Sequence, residues 1–563
     1  MSCTADDSTS PADVTHAATE LRATRRHLLA GAAALSGGLA APVAGALGGS
    51  ARVAAQDDVE TLTIAMNGTP SDLDPHSAYD YRSAIALRGP YEQLIGLVAD
   101  KTDEYEGLVA ERWEANADKS VWTFSIRPGV TFHDGTPVDA EAVRASFARF
   151  LTLGLGPTSA IVRFVPDAAA ITAPDPATVV FDLGRPQPLF ESYLTSQYGP
   201  LVMNTAKAMT EEVDGDLGHG WAQLNEEGLG TGPYRITTFD PGQQVVMERY
   251  DGYWRGWEGD HFDRVEIRIV PENQTRRQLI EAGDVDIVDN LVPEALEALE
   301  QSADLVVDKS YSSEVDYLML TVDGALASPE ARQALCYAFP YDEVVQGVYR
   351  GYGKRAVGPV AEVVRGFDPA TFSFTTDLAK AKELLTTAGV AEGTEITLTQ
   401  ESGDENVKAA LQLFQANLAE IGLSLAIETV DLGTFTSIIF GDSPVEERPG
   451  VMPWFWWPDY NDAWNHLYPQ VSCDAWGSKG TNSGFYCNAR VDELLTASRD
   501  EADPAAYQAA LSEIQQIVTR DDPAAVYYLQ RQWTTILRST VAGFVFNPIN
   551  IGTYDFYRLS RTA

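Results

Sequence analysis

The most constraining feature of this sequence is a regular alternation of helical and extended patterns in the second half of the chain. Asp377 precedes a stripe of apolar residues at helical spacing that ends at Gly389, and residues 395–400 then alternate as a strand. A second apolar stripe over residues 407–421 and a second extended run over residues 423–430 repeat the order. Helices that alternate with strands cover the faces of a sheet, so this pattern predicts an α/β fold.

Shorter patterns nearer the start of the chain carry the same kind of signal. Residues 61–65 alternate as a strand that leads into a polar loop, and residues 121–127 alternate as a second strand before a Pro-Gly turn. Asp139 then precedes apolar residues at steps of four, which predicts a helix capped by that aspartate. Because the chain has 563 residues, too many for one hydrophobic core, we expect two or three domains.

The first 55 residues differ in composition from the rest and resemble an export signal. A polar lead is followed by the pair Arg25 and Arg26, a weakly apolar run to about Leu47, and the small residues 53–55 before Gln56. This order is typical of a twin-arginine signal peptide, which exports folded cargo, and an ordinary amphipathic helix is the alternative. No later run approaches the roughly 18 apolar residues of a membrane span. We therefore expect a soluble mature protein, exported to the periplasm or the outer face of the cell membrane.

The net charge and the motif content argue against several classes of function. With 81 acidic against 40 basic side chains the net charge is -41, which is unsuited to nucleic acid as a partner. The sequence has no H-E-x-x-H, no G-x-S-x-G and no phosphate-binding loop, and its histidines are not spaced as metal ligands. We predict no cofactor, no metal and no catalysis. A secreted hydrolase that uses a carboxylate pair such as Asp459 and Asp462 is the rival from a different class.

Three cysteines lie beyond the signal segment, and two of them suit a disulfide. Cys473 and Cys487 close a loop rich in Gly, Ser and Asn within a protein that we expect to be exported, where such a bond persists. In the chain-entropy model a loop of this size contributes about 3 kcal/mol to stability. Cys336 lies inside a helical pattern and is predicted to be a buried, unreactive thiol.

Several sequence blocks, spread over most of the chain beyond the signal, resemble one known family. The most specific block runs from Leu108 to Glu114 and continues through residues 122–137 as W-T-F-S-I-R-P-G-V-T-F-H-D-G-T-P. A second block is G-T-G-P-Y-R-I at residues 230–236. Further matching blocks are residues 249–254, 283–287, 332–335, 379–389 and 491–495. With these blocks the chain resembles the peptide/nickel family of extracellular solute-binding proteins, family five.

The resemblance implies an α/β architecture of two lobes, similar to type II periplasmic binding proteins, with an extra domain inserted in the first lobe. By block order, lobe one comprises residues 56–89, 229–311 and 520–563, the inserted domain comprises residues 90–228, and lobe two comprises residues 312–519. The lobes are expected to close around a solute like a hinged trap, without making or breaking a bond.

The function that the resemblance implies is that of the substrate-binding receptor of an ABC importer. Such a receptor captures a di- or oligopeptide, presents both closed lobes to a membrane permease and acts as a monomer. An oligosaccharide receptor of the same fold is the alternative solute class, since some relatives stack sugar faces on tryptophan rings, and a chelated nickel ion is a further one. A sensor that passes its liganded conformation to a membrane signalling partner fits the same residues.

An aromatic segment beside a carboxylate is the predicted binding site. Residues 454–457 contain three tryptophans and one phenylalanine, and Pro458 ends the element before Asp459. Large aromatic side chains beside a carboxylate suit the wall of a ligand site. In peptide-binding relatives an aspartate in a similar segment holds the peptide α-ammonium group, and Asp459 is the matching position. The alternative is that residues 454–457 form an interdomain core strand and Asp459 only forms a turn.

The full predicted ligand-binding set comes from three parts of the chain. Its members are Phe455, Trp456, Trp457, Asp459 and Tyr460 from the aromatic segment, Tyr79 and Asp80 from a loop that matches a cleft-lining position in relatives, and Tyr527 from near the end of the chain. One departure concerns the arginine that peptide receptors commonly place near the aromatic segment for the peptide carboxylate. Here Arg448 is the nearest candidate, and a role as a plain loop residue is the alternative.

Overall fold

A mixed sheet of eleven strands organises the protein, which a computed structural model describes over residues 59–224 and 228–562. The predicted signal peptide lies outside these residues. The strands are β1 Thr61–Met66, β2 Ile95–Leu97, β3 Tyr105–Gly107, β4 Ala110–Ala115, β5 Val121–Ile126, β6 Ile171–Asp175, β7 Thr178–Asp182, β8 Tyr234–Asp240, β9 Gln244–Arg249, β10 Arg264–Ile269, β11 Ile287–Asp289, β12 Leu305–Leu320, β13 Gly353–Lys354, β14 Glu395–Glu401, β15 Ser424–Val430, β16 Val451–Trp456, β17 Ala525–Arg538, β18 Val541–Ala542 and β19 Ser560–Arg561.

Helices cover this sheet and a smaller one. They are α1 Tyr81–Leu87, α2 Ala140–Leu153, α3 Thr158–Ile161, α4 Phe190–Leu194, α5 Thr205–Ala208, α6 His219–Ala222, α7 Asn273–Ala282, α8 Pro293–Leu299, α9 Pro329–Ala338, α10 Leu378–Ala388, α11 Glu405–Glu420, α12 Leu432–Phe440, α13 Ala463–Val471, α14 Ala489–Ser498 and α15 Pro504–Gln516. Among the described residues, no helix is both long and apolar enough to cross a bilayer.

Two long antiparallel strands, β12 and β17, join the two halves of the large sheet. The strand order is β15, β14, β16, β12, β17, β11, β1, β10, β9 and β8, with β13 beside β17. Residues 305–311 of β12 pair with the end of β17, and residues 315–319 pair with its beginning, while β16 pairs with residues 315–320 on the other side of β12. A register shift between Tyr311 and Val315 separates the two stretches. Two strands that pass from one half to the other are what a two-lobed protein needs at its hinge.

A separate antiparallel sheet has the order β4, β5, β7 and β6. Phe124 of β5, Phe147 of α2 and Phe181 of β7 are fully or almost fully buried in the core that this sheet shares with α2. A sheet with its own core is consistent with a separate domain. It falls within residues 90–228, the predicted inserted domain, whose boundaries stay a prediction.

The predicted helix caps and the predicted order of elements are confirmed in the second half of the chain. Asp377 accepts the backbone N–H of Lys380 at the start of α10, and Gly389 ends the helix with φ 72°, a left-handed conformation that favours glycine. In the first half of the chain, Asp139 also caps its predicted helix, α2, by accepting the N–H of Ala142 over 2.8 Å. β14 and β15 pair in parallel, and the helix between them provides the crossover connection that parallel neighbours need.

The cysteine predictions are also confirmed. Cys473 and Cys487 form a disulfide, and Cys336 is a buried free thiol whose pKa is raised by burial. A thiol with a raised pKa carries little thiolate at neutral pH, so Cys336 is unreactive.

Removing the disulfide in the double variant C473S/C487S is expected to lower the free energy of unfolding by about 3 kcal/mol, because the loop gains conformational freedom in the unfolded chain. Urea denaturation followed by tryptophan fluorescence measures the change. Wild-type protein unfolded in the presence of a reductant should show the same loss. A double variant that unfolds with the wild type would contradict the prediction.

Candidate functional site

Asp459 follows the end of β16 and is only 6% exposed. Tyr79 Oη donates to Asp459 Oδ1 over 2.8 Å, and Asn465 Nδ2 lies 3.4 Å from Oδ2. The backbone N–H of Asp459 donates to Asn465 Oδ1 over 2.6 Å, so the start of α13 fixes the loop that carries the carboxylate. Within the described ranges, both of its side-chain partners are neutral.

Ionisation of the Asp459 carboxyl group is energetically unfavourable in this position. Burial raises the pKa of Asp459 to about 6, and the hydrogen bonds from Tyr79 and Asn465 counteract only part of that effect. Neutral donors replace the lost hydration of a buried carboxylate incompletely. The position therefore favours a cationic group that a ligand brings.

Two further tyrosines surround the carboxylate. The ring of Tyr198 packs edge-on against Tyr79 at a centroid distance of 4.9 Å, and its hydroxyl accepts the indole N–H of Trp457 over 3.0 Å. Burial, assisted by the charge of Asp459, raises the pKa values of the Tyr79, Tyr193 and Tyr198 phenols. These phenols stay protonated at neutral pH. The Tyr193 hydroxyl is buried and has no hydrogen-bond partner among the described residues.

Three distant stretches of the chain meet at this carboxylate. Tyr79 directly precedes the N-cap of α1, Tyr198 follows α4, and Asp459 follows β16. In the predicted domain order these residues belong to lobe one, the inserted domain and lobe two. A site built from all three parts changes shape when they move relative to one another.

An aromatic stack extends from the carboxylate along β16. The rings of Trp454 and Phe455 are stacked at 5.3 Å with an interplanar angle of 10°, and those of Phe455 and Trp457 at 5.3 Å with 19°. Phe455 is 39% exposed, whereas Trp456 lies partly buried and donates its indole N–H to the carbonyl of Asn465. Phe455 is thus the accessible ring, and Trp456 anchors the strand to α13.

Comparison with known proteins identifies the family of this chain. The family described as bacterial extracellular solute-binding proteins, family 5 (middle region), matches residues 104–478. The chain belongs to this family. A probable D,D-dipeptide-binding periplasmic protein, DdpA of Escherichia coli K12, is 30% identical over 509 residues, which cover 89% of this chain and 94% of the relative. The glutathione-binding protein GsiB of Escherichia coli K12 is 26% identical over 494 residues, 87% of this chain and 92% of the relative.

The solved structures agree with the fold of a family 5 protein. The ABC transporter-associated periplasmic binding protein DppA of Helicobacter pylori, in complex with the peptide STSA, superimposes with a TM-score of 0.76 at 24% identity. The match covers 89% of this chain and 98% of the other. The predicted α/β, two-lobed architecture of type II periplasmic binding proteins is confirmed.

Tyr460, a predicted ligand-binding residue, and Asp462, a candidate for the rival hydrolase pair, carry structural contacts in this family 5 protein. Tyr460 is 1% exposed, and its hydroxyl bonds Arg163 Nη1 over 2.6 Å. Asp462 is fully buried and caps α13 through the N–H of Trp464. Asp462 also accepts the hydroxyl of Tyr507 over 2.5 Å and the guanidinium of Arg365 over 3.2 Å. Unlike Asp459, it has ionic and neutral partners of its own.

Asp80 and Tyr527 have partners other than Asp459. Asp80 is the N-cap of α1 and accepts the backbone N–H groups of Arg82 and Ser83. Its second oxygen accepts side-chain hydroxyls, so its hydrogen-bonding capacity is used within lobe one. Tyr527 packs against Tyr317 at 5.6 Å in the core between β12 and β17. Their contact with a ligand stays a prediction.

The Arg448 side chain binds backbone carbonyls at the C-terminal end of α12. Its guanidinium donates to the backbone carbonyls of Ile438, Gly441 and Ser443, at and just beyond the C-terminal end of α12. A cation that satisfies these carbonyls stabilises the helix terminus. The structure therefore favours the loop role over that of a carboxylate anchor.

Sequence reasoning missed Tyr193, Tyr198 and Asn465. The first two lie in a run of aromatic and polar residues that ends at the turn of Gly199 and Pro200, which is the available local signal. Nothing in that run indicates a partner about 260 residues away. Asn465 lies in the first turn of α13, where a buried amide facing the preceding loop has no pattern of its own.

Proposed function

We propose that this chain is the substrate-binding receptor of an ABC importer that captures a short peptide and performs no catalysis. The observation that carries the proposal is the buried carboxylate of Asp459, whose side-chain hydrogen-bond partners in the described part of the chain are both neutral. A peptide α-ammonium group placed against it would form a charge-assisted hydrogen bond where neither neighbour supplies a cation. Extended pairing with the peptide backbone would then accept many sequences.

The relatives support this choice of solute. DdpA is named for D,D-dipeptides and GsiB for glutathione, and the Helicobacter pylori protein holds the peptide STSA. That protein is described as ABC transporter-associated, which supports a membrane permease as the partner. Asp462 already binds Arg365 and Tyr507, which supports the proposal that it does not act with Asp459 as a carboxylate pair for hydrolysis.

Closure is proposed to occur about β12 and β17. With lobe one at residues 56–89, 229–311 and 520–563 and lobe two at residues 312–519, β12 crosses between the lobes near the register shift after Tyr311, and β17 pairs with it on both sides of that shift. The peptide would select the conformation in which Tyr79 and Asp459 are in contact, as they are in this structure. Transport follows when the closed lobes meet the permease.

The test measures affinity by isothermal titration calorimetry for trialanine and for N-acetyl-trialanine. The free peptide should bind about 100-fold more tightly, because acetylation removes the ammonium group that would pair with the Asp459 carboxylate. Native mass spectrometry of protein from its own host should show adducts of peptide mass. A hexose-spaced adduct with equal affinity for both peptides would favour the oligosaccharide alternative, in which the exposed ring of Phe455 stacks on sugar. Measurable release of peptide fragments would support the hydrolase instead.

A further inference from the structure

A cavity separate from Asp459 lies at the C-terminal end of α1. It has a volume of about 150 Å³ and is bounded by residues 88–99, the turn containing Tyr253 and Arg255, and the C-terminal segment 543–559. None of its lining residues contacts the Asp459 carboxylate. A cavity of roughly this volume holds a molecule the size of benzene, about six non-hydrogen atoms.

Two arginines of the cavity wall have buried nitrogen atoms without partners. Arg88 Nη1 donates to Gln93 Oε1 over 3.1 Å, but Arg88 Nε and Nη2 are buried and, within the described residues, have no hydrogen-bond partner. The same holds for Arg255 Nε. Burial lowers the pKa of Arg88 to about 10, with Asp555 as the one charge that opposes it. Buried N–H groups of a cation that remain unpaired destabilise the folded state.

The nearby carboxylates at one side of the cavity are already engaged. Arg558 forms ion pairs of 2.8 Å with both Glu106 and Asp555. Arg255 Nη2 lies 3.8 Å from Glu106, at the edge of ion-pair range. Neither acid forms an ion pair with Arg88 among the described residues, so Arg558 is their main counter-charge.

The third carboxylate of the wall, Glu92, is satisfied by neutral donors. It is 6% exposed and accepts the hydroxyls of Tyr253 and Thr231 and the indole N–H of Trp254. Burial raises its pKa, which these three donors and the nearby charge of Arg255 oppose. Glu92 is therefore a counter-charge for Arg255, but it forms no ion pair with Arg88 among the described residues.

We propose that this cavity, called here the Arg88 pocket, binds a small oxyanion, either a free carboxylate of about six non-hydrogen atoms or inorganic phosphate. The forked N–H groups of a guanidinium match the two oxygens of such a group, and Arg88 offers Nε and Nη2 side by side. Arg255 Nε is a second donor. The unpaired, buried Oδ1 of Asn550 in the same wall would accept a hydroxyl or N–H of the ligand. The proposal does not depend on which solute binds at Asp459.

The experiment uses trifluoroacetate as the probe and follows its ¹⁹F line width with the full-length protein at constant ionic strength. The variant R88M keeps the apolar stem but removes the donors, and R255M removes the second donor. R112M is the matched control, since Arg112 is an exposed arginine bonded to Ser125. The wild type and R112M should broaden the line, and R88M should bind the probe at least about tenfold more weakly. Competition by acetate or by phosphate identifies the preferred oxyanion.

Equal broadening by R88M and R112M, or none by the wild type, would overturn the proposal. Circular dichroism establishes whether R88M folds, and R255M, which is expected to weaken binding in the same direction, carries the test if it does not. The variant D459N should bind trifluoroacetate like the wild type. A loss of probe binding in D459N would place the oxyanion in the peptide site and would likewise overturn the proposal.

Discussion

The variant R149M is expected to lose about 3 to 5 kcal/mol of unfolding free energy, the typical effect of removing one partner from a buried ion pair. Asp74 is fully buried, and Arg149, 3% exposed in its side chain, binds both its oxygens at 2.6 and 3.0 Å. Burial alone would raise the pKa of Asp74, but hydrogen bonds from His219 and Arg149 hold it well below its ordinary value. Without Arg149 that carboxylate stays buried, and His219, its remaining ion-pair partner among the described residues, is charged only when protonated.

Urea denaturation of R149M, followed by tryptophan fluorescence, measures the effect. R144M is the matched control, because Arg144 lies on the same helix and pairs with Glu141 at the surface. A surface pair of this kind contributes at most about 1 kcal/mol. Because the pKa of Asp74 is depressed in the folded state, its stabilising contribution is present at neutral pH and falls as the solution becomes acidic. If R149M and R144M unfolded at the same urea concentration, the ion pair would not stabilise the fold.

The helices and strands could be predicted where the signal is local. Asp139 and Asp377 precede apolar stripes, and each caps its helix by accepting a backbone N–H three residues later. Gly389 ends α10 because a left-handed residue is needed there. The helix between β14 and β15 provides the crossover that their parallel pairing requires.

The site could be predicted only in part, because its contacts join residues that are far apart in sequence. The pairing of Tyr79 with Asp459 spans 380 residues, and both were selected through the family resemblance. The role of Asp80 cannot be predicted from its local sequence alone. A carboxylate before a helix can contact a ligand or cap the helix, and the hydroxyls of Ser71 and Ser83 that complete its role as a cap are recognised only in the fold.

Tyr198 and Asn465 could not be predicted for a related reason. Their roles depend on where the folded chain places a third residue, Asp459, and neither is adjacent to Asp459 in the sequence. The carboxylate's raised pKa likewise arises from burial by several segments at once. The family resemblance, together with the aromatic segment beside Asp459, therefore predicted the type of site, whereas its electrostatics required the packed structure.

The variant D459N is expected to bind trialanine about 100-fold more weakly than the wild type at pH 7, because the ammonium group of the peptide would then face a neutral amide. The pH dependence has a defined sign. The free protein takes up a proton at Asp459 as the pH falls below about 6, and the complex needs the ionised carboxylate. Wild-type affinity should therefore be flat near pH 7 and decrease toward about tenfold per unit well below pH 6.

Calorimetry between pH 5 and pH 7, in buffers with different ionisation enthalpies, measures both the affinity and the protons released. The groups around Asp459 are Tyr79, Tyr193, Tyr198 and Asn465, whose raised phenol pKa values or neutral amide keep them uncharged over this range. Proton release on binding should thus vanish in D459N and persist in the variant Y79F, which removes one hydroxyl but keeps the carboxylate. A D459N protein that retained both the wild-type affinity and the proton release would move the peptide amino terminus away from this carboxylate.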